Sequence, residues 1–131
     1  MSEQDNVDLV KRGFEAFNVP DVETLSAMFA DDATQHIPGT SPFAGDYKGR
    51  DEILAMYGQL GVTSNGTFKA ELQSVDADGP DRVVAIYKGL GERDGKTLGT
   101  TNRLTFTIRD GHFAELVDAP DDLAAWDDFW S

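Results

Sequence analysis

The spacing of apolar residues changes near residue 66, and that change constrains the fold more than any other feature. Before it, Val7, Val10, Phe14 and Phe17 recur at helical spacing, as do Val22, Leu25, Met28 and Phe29. After it, Phe68, Ala70 and Leu72 alternate with Thr67, Lys69, Glu71 and Gln73, the period of a half-buried strand. Helices first and strands afterwards predict an α+β architecture with the two kinds of element segregated.

The boundaries follow from local chemistry. Asp5 or Asn6 is expected to cap a first helix ending near Asn18, and Pro20 stops it. Asp21 caps the second. A third helix is expected from Arg50 to about Leu60, with Ile53, Met56, Tyr57 and Leu60 on one face and Gly61 at its end. Strands are expected over Thr67–Val75, Arg82–Leu90, Leu98–Ile108 and His112–Asp118, with hairpins at Asp94-Gly95 and Asp110-Gly111. Pro120, Asp121 and Asp122 should open a short terminal helix carrying Trp126, Phe129 and Trp130, an aromatic clasp over the sheet. A long twisted sheet with three helices from the N-terminal half on its concave face curls into a cone, whose mouth is a natural ligand site. The whole of 1–131 reads as a single domain.

Between the second and third helices lies Phe29–Glu52, FADDATQHIPGTSPFAGDYKGRDE. It is expected to hold short extended pieces at Thr34–Ile37 and near Asp46–Lys48. Pro38, Gly39, Pro42, Gly45 and Gly49 break it too often for a long regular element. A loop of this length in a small domain is more often functional than idle, and this one reads as the rim of a pocket.

Composition excludes several functions. Cysteine is absent, which removes disulfides, thiolate metal sites and cysteine nucleophiles. The net charge is −13, with the basic residues scattered, so neither nucleic acid nor an anionic membrane is an expected partner. No apolar run approaches the ~18 residues of a membrane helix. The polar, acidic start MSEQDNVDL does not read as a signal peptide, so a cytoplasmic location is expected.

FADDATQHIPG, SPFAGDYKGRDEI, FTIRDGHFAELVDAPDD and a closing FW together resemble the SnoaL-like branch of the nuclear-transport-factor-2-like superfamily. The resemblance spans essentially the whole chain. It implies a cone-shaped fold with a buried pocket, frequent homodimers, and functions ranging from polyketide cyclases, isomerases and dehydratases to non-enzymatic binders. Ketosteroid isomerases place a Tyr, an Asp base and a second Asp where this chain carries Gly13, Ile37 (or His36 beside it) and Leu104. The SnoaL-type cyclases use an Asp near the end of the last strand, which matches Asp118, and a His that falls on Leu104.

Asp118 and His36 are the candidate catalytic residues. Asp118 continues the Ala114, Leu116 face of its strand, so alternation sends it toward the apolar side, where desolvation raises a carboxylate pKa. The competing reading is a cap before the terminal helix. His36 has a side chain suited to acid–base work, or it is a hydrogen-bonded structural residue. The candidate binding residues are Phe14, Phe17, Tyr57 and Tyr87, with Asn102, Leu104, Phe106 and Leu116 on the third and fourth long strands. Either tyrosine could bond a ligand oxygen or simply pack with its hydroxyl satisfied. No metal site is expected, because no second histidine supports Asp31, Asp32 and His36, and no cofactor is implied. The expected ligand is an apolar, carbonyl-bearing small molecule, handled by isomerase- or lyase-type proton transfer or merely bound. Strands apolar on both faces, such as Val84, Ile86 and Leu90 against Val83, Ala85 and Tyr87, predict a homodimer.

Overall fold

In the computed structural model, which describes residues 2–131, helix α1 (Glu3–Asn18) starts earlier than expected. Ser2 is its cap: the Ser2 hydroxyl accepts from the Asp5 N–H at 3.0 Å, and the Asp5 carboxylate accepts from the Ser2 N–H at 3.2 Å. This reciprocal pair satisfies two donors at once. Asn6, an expected cap, is instead buried and donates to the Pro80 carbonyl. Met1 lies outside the described residues.

Asp21 caps α2 (Val22–Met28) through the Thr24 N–H, as expected. Phe29, expected on that helix's stripe, instead opens strand β1 (Phe29–Ile37), which is longer than the piece expected at Thr34–Ile37. Strand β2 (Gly45–Lys48) returns antiparallel to it. Helix α3 (Arg50–Thr63) runs through Gly61, the expected stop. The chain leaves the helix at Asn65 and Gly66, with φ of 56° and 77°, conformations open to Asn and Gly.

Strands β3 (Lys69–Ala77), β4 (Arg82–Arg93), β5 (Lys96–Arg109) and β6 (His112–Pro120) form an antiparallel meander. Asp94-Gly95 and Asp110-Gly111 take positive φ at both residues, the two-residue turns that their sequence favours. The six strands lie in the order β2-β1-β6-β5-β4-β3, and β1 beside β6 is the parallel pair in an otherwise antiparallel curved sheet. Helix α4 (Leu123–Trp130) is capped by Asp122, whose side chain accepts from the Ala125 N–H at 3.0 Å. Pro120 ends β6 rather than opening this helix, which corrects the expected start.

Two irregularities decide which side chains face inward. On β6, Phe113 pairs with Ile108 but Glu115 pairs with Thr107, so Ala114 is an extra, unpaired residue. That bulge lets both Phe113 and Leu116 turn inward, which strict alternation forbids. On β1 the register against β6 shifts between Phe29 and Thr34. Beyond it Ala33, Gln35 and Ile37 are buried while His36 faces out.

The helices settle where the sheet offers room. A Cβ on Gly13 of α1 would stand 3.1 Å from the Phe113 ring, so glycine allows this close approach to the sheet. Two apolar clusters result, one between α1 and the sheet, the other around Phe43, Phe68 and the α4 aromatics. Phe43 stacks edge-on to Trp130, and the Thr40 and Ser41 N–H groups both donate to Asp127. The Pro/Gly loop is thereby fastened to the terminal helix.

Candidate functional site

A cavity of about 70 Å³ lies between the helices and the concave face of the sheet. Strands β5 and β6 contribute Leu104, Phe106 and Leu116 to its wall, and α1 contributes Phe14 and Phe17. Tyr57 of α3 and Tyr87 of β4 complete the set of expected lining residues found there. Gln35, Phe113 and Trp126 also line it and were not among the expected site residues. Gln35 was readable: it sits two residues before Ile37 on one strand and so shares the inward face. Phe113 was hidden by the bulge, and Trp126 by its distance along the chain.

Asp118 is the charged residue of this cavity, and it is 4% exposed. The Tyr87 hydroxyl donates to its two oxygens at 3.2 and 3.1 Å. Asn102 Nδ2 donates to that hydroxyl at 3.0 Å, and Thr100 Oγ1 donates to Asn102 Oδ1 at 2.9 Å. All four residues are buried, and Asp118 is the end of the relay that meets the cavity. Asn102 was expected to contact a ligand. The structure corrects this: it lies behind Tyr87, outside the cavity wall, and holds the phenol in place.

The electrostatics follow from burial. Asp118 is pushed up to about 7, because desolvation penalises the carboxylate more than the bonds from Tyr87 and the Ala119 backbone support it. Burial likewise raises Tyr87, and the Asp118 charge raises it further. Tyr57 rises for the same two reasons, while its bond to Gln35 Oε1 at 2.5 Å opposes the shift. Both tyrosines therefore keep their hydroxyl protons at neutral pH and can donate them in hydrogen bonds. Asp118 is the cavity group that can take up or release a proton near neutrality.

His36 is not part of this arrangement. It points to the opposite side of β1 from Gln35 and Ile37, and its Nδ1 meets Asp46 Oδ1 at 2.7 Å with His36 48% and Asp46 69% exposed. Strand alternation thus places His36, a candidate catalytic residue alongside Asp118, outside the cavity. Nor do Asp31, Asp32 and His36 converge: Asp31 pairs with Arg50 and Asp32 with Arg109. Among the described residues no group of three or more His, Cys, Asp or Glu side chains is placed to hold a metal ion. No helix among them is long and apolar enough to cross a membrane.

Known proteins share this fold. An uncharacterised protein of Mycobacterium tuberculosis is 31% identical over 131 residues, the full length of both chains. The structure of Bal32a, from a soil-derived mobile gene cassette, superposes with a TM-score of 0.96 at 39% identity, covering 98% of each chain. A candidate polyketide cyclase of Sinorhizobium meliloti superposes with a TM-score of 0.72 at 27% identity, covering 91% of this chain and 100% of its own. The SnoaL-like domain model matches residues 10–116. The chain therefore belongs to the SnoaL-like family.

Proposed function

We propose that this protein is a cofactor-independent enzyme that moves a proton on a small, apolar, carbonyl-bearing molecule, in the manner of a cyclase, isomerase or dehydratase. The observation that carries this reading is a single carboxylate buried at the end of an apolar cavity, poised to change protonation near neutral pH. Asp118 accepts the proton from the carbon next to the carbonyl, and the electron pair left behind moves onto the carbonyl oxygen. Tyr57, turning its O–H from Gln35 to that oxygen, stabilises the developing charge. The protonated Asp118 then returns the proton at the new position, which balances the step. Tyr87, held by Asn102, keeps the carboxylate oriented throughout.

A second reading has its own support. Leu104 stands directly opposite Asp118 in the β5–β6 ladder, where the cyclase-type pair would carry a histidine. Both histidines of the chain are exposed, so Asp118 has no imidazole partner. A binding protein with the same pocket fits that fact. Hydrogen–deuterium exchange at the α-carbon of cyclopentanone in D₂O, followed by NMR, separates the two. The enzyme reading expects exchange faster with the wild type than with Asp118→Asn. Equal rates would leave the binding protein.

The outer face of the sheet carries half-buried Val84 and Ile86 and an exposed Val117, apolar area that a second copy would cover. A homodimer is proposed on that ground. Sedimentation at micromolar concentration tests it, and a monomer alone would refute it.

A further inference from the structure

We propose that the ligand is elongated, with its carbonyl end at Asp118 and an unbranched apolar tail that leaves the cavity past Phe17 and lies in a second compartment outside it. This rests on the proposed carbonyl-binding cavity and names the shape and class of what that cavity takes.

The second compartment is a groove of about 530 Å³ between α2 and the C-terminal half of α3. Phe17, Leu25, Tyr57 and Phe68 belong to the walls of both spaces, so the partition between them is a few side chains thick. The Phe17 ring meets Tyr57 at 5.2 Å and Phe68 at 5.9 Å, both edge-on. Phe17 and Tyr57 are half-buried rather than sealed. Such a wall is made of rotatable side chains, not of backbone.

Size argues for joint use. The inner cavity, at about 70 Å³, is well below the ~300–1,000 Å³ of ordinary ligand sites, and the groove brings the combined space into that range. Chemistry selects the occupant. Pro20, Leu54, Val22 and Val62 give the groove apolar walls, and the two valines are 61% and 70% exposed. Lys69 is the charged residue at its edge, and its ammonium already donates to the Asn18 carbonyl. A neutral aliphatic tail suits this lining.

Helix α3 supplies an independent sign. Gly58 and Gly61 lie one turn apart on the groove, and a Cβ built at either would meet nothing within 4 Å. Glycine weakens a helix interior relative to alanine, so this pair favours space over helix stability. Side chains at both positions would narrow the groove.

The test is binding of linear 2-alkanones, from 2-butanone to 2-nonanone, followed by amide NMR shifts in the wild type and in Gly58→Trp. Gly58 does not line the inner cavity, and its replacement improves helix propensity. The wild type should bind about fourfold tighter per added methylene once the tail enters the groove. In Gly58→Trp the ratio of 2-nonanone to 2-butanone affinity should fall about tenfold or more. If short ketones shift the cavity amides but longer ones bind no tighter, or the ratio survives in Gly58→Trp, the groove has no such role. If no ketone of any length shifts the cavity amides, the carbonyl site itself fails and the tail compartment falls with it.

Discussion

Two carboxylates of this chain each meet a hydrogen-bonding partner at the sheet, and only one is placed for chemistry. Asp46 meets His36 at 2.7 Å on the outer side of the β1–β2 edge, where both are largely exposed. Asp118 meets Tyr87 at 3.1 Å inside the cone, where both are buried. The first pair has the residues one would choose for acid–base catalysis, and water screens it to little effect. The second has a phenol in place of an imidazole, yet its surroundings shift the proton equilibrium toward neutrality. Position in the fold, more than residue type, decides which acid is useful.

The largest expected break in this contrast is Asp118→Asn. Loss of the acid–base group should lower turnover by about 10²–10⁴-fold, measured as α-proton exchange. Stability should respond in the opposite direction. An unfolded aspartate ionises near 3.8, and burial pushes the folded one up to about 7. Between these values the folded protein keeps a proton that the unfolded chain has released. Stability therefore falls as pH rises through that window and levels off above it, by on the order of 4 kcal/mol in all. Asp118→Asn lacks this loss, so thermal melts of the two proteins should diverge from pH 4 to pH 7, with the variant ahead at the higher pH.

Tyr87→Phe sharpens the comparison from the partner's side. It removes a bond that supports the ionised carboxylate, so the acid limb of kcat/KM should move to higher pH. It also strips Asn102 Nδ2 of its acceptor, which should destabilise the fold by about 1–3 kcal/mol. Denaturant titration and a pH–rate profile check the two effects separately. Next in size is Asp122→Ala, expected to lose about 1 kcal/mol because Asp122 is the helix cap. A cap loss at Asp118→Ala instead would contradict the placement. The smallest effect belongs to the outer pair: His36→Ala should change stability by about 0–1 kcal/mol and leave turnover unchanged.

Much of the scaffold was legible because the signals are local. The Asp-Gly hairpins, the Asp21 cap and the alternation of β4 and β5 depend on neighbours in sequence, and each lies where it was read. The end of β6 was ambiguous between a pocket acid and a cap. Asp122 resolves it by taking the cap, which leaves Asp118 on the inward face. His36 lies outside the cavity, and its own strand carried that answer, since Ile37 and Gln35 point in and their neighbour must point out. The relay through Asn102 was beyond sequence, because Tyr87, Asn102 and Asp118 meet only after three strands pair in register. Phe113 and the parallel β1–β6 pair were likewise hidden, since a bulge and a long-range pairing leave no periodic trace.

The most direct test of the buried-acid account is a carboxylate titration by carbon-detected NMR on the intact protein, with Asp118→Asn assigning the resonance. Asp118 should titrate at about 7, well above the ordinary 3.8 of an aspartate. A midpoint at or below the ordinary 3.8 would show that the cavity does not desolvate it, and the proton-transfer role would go with it.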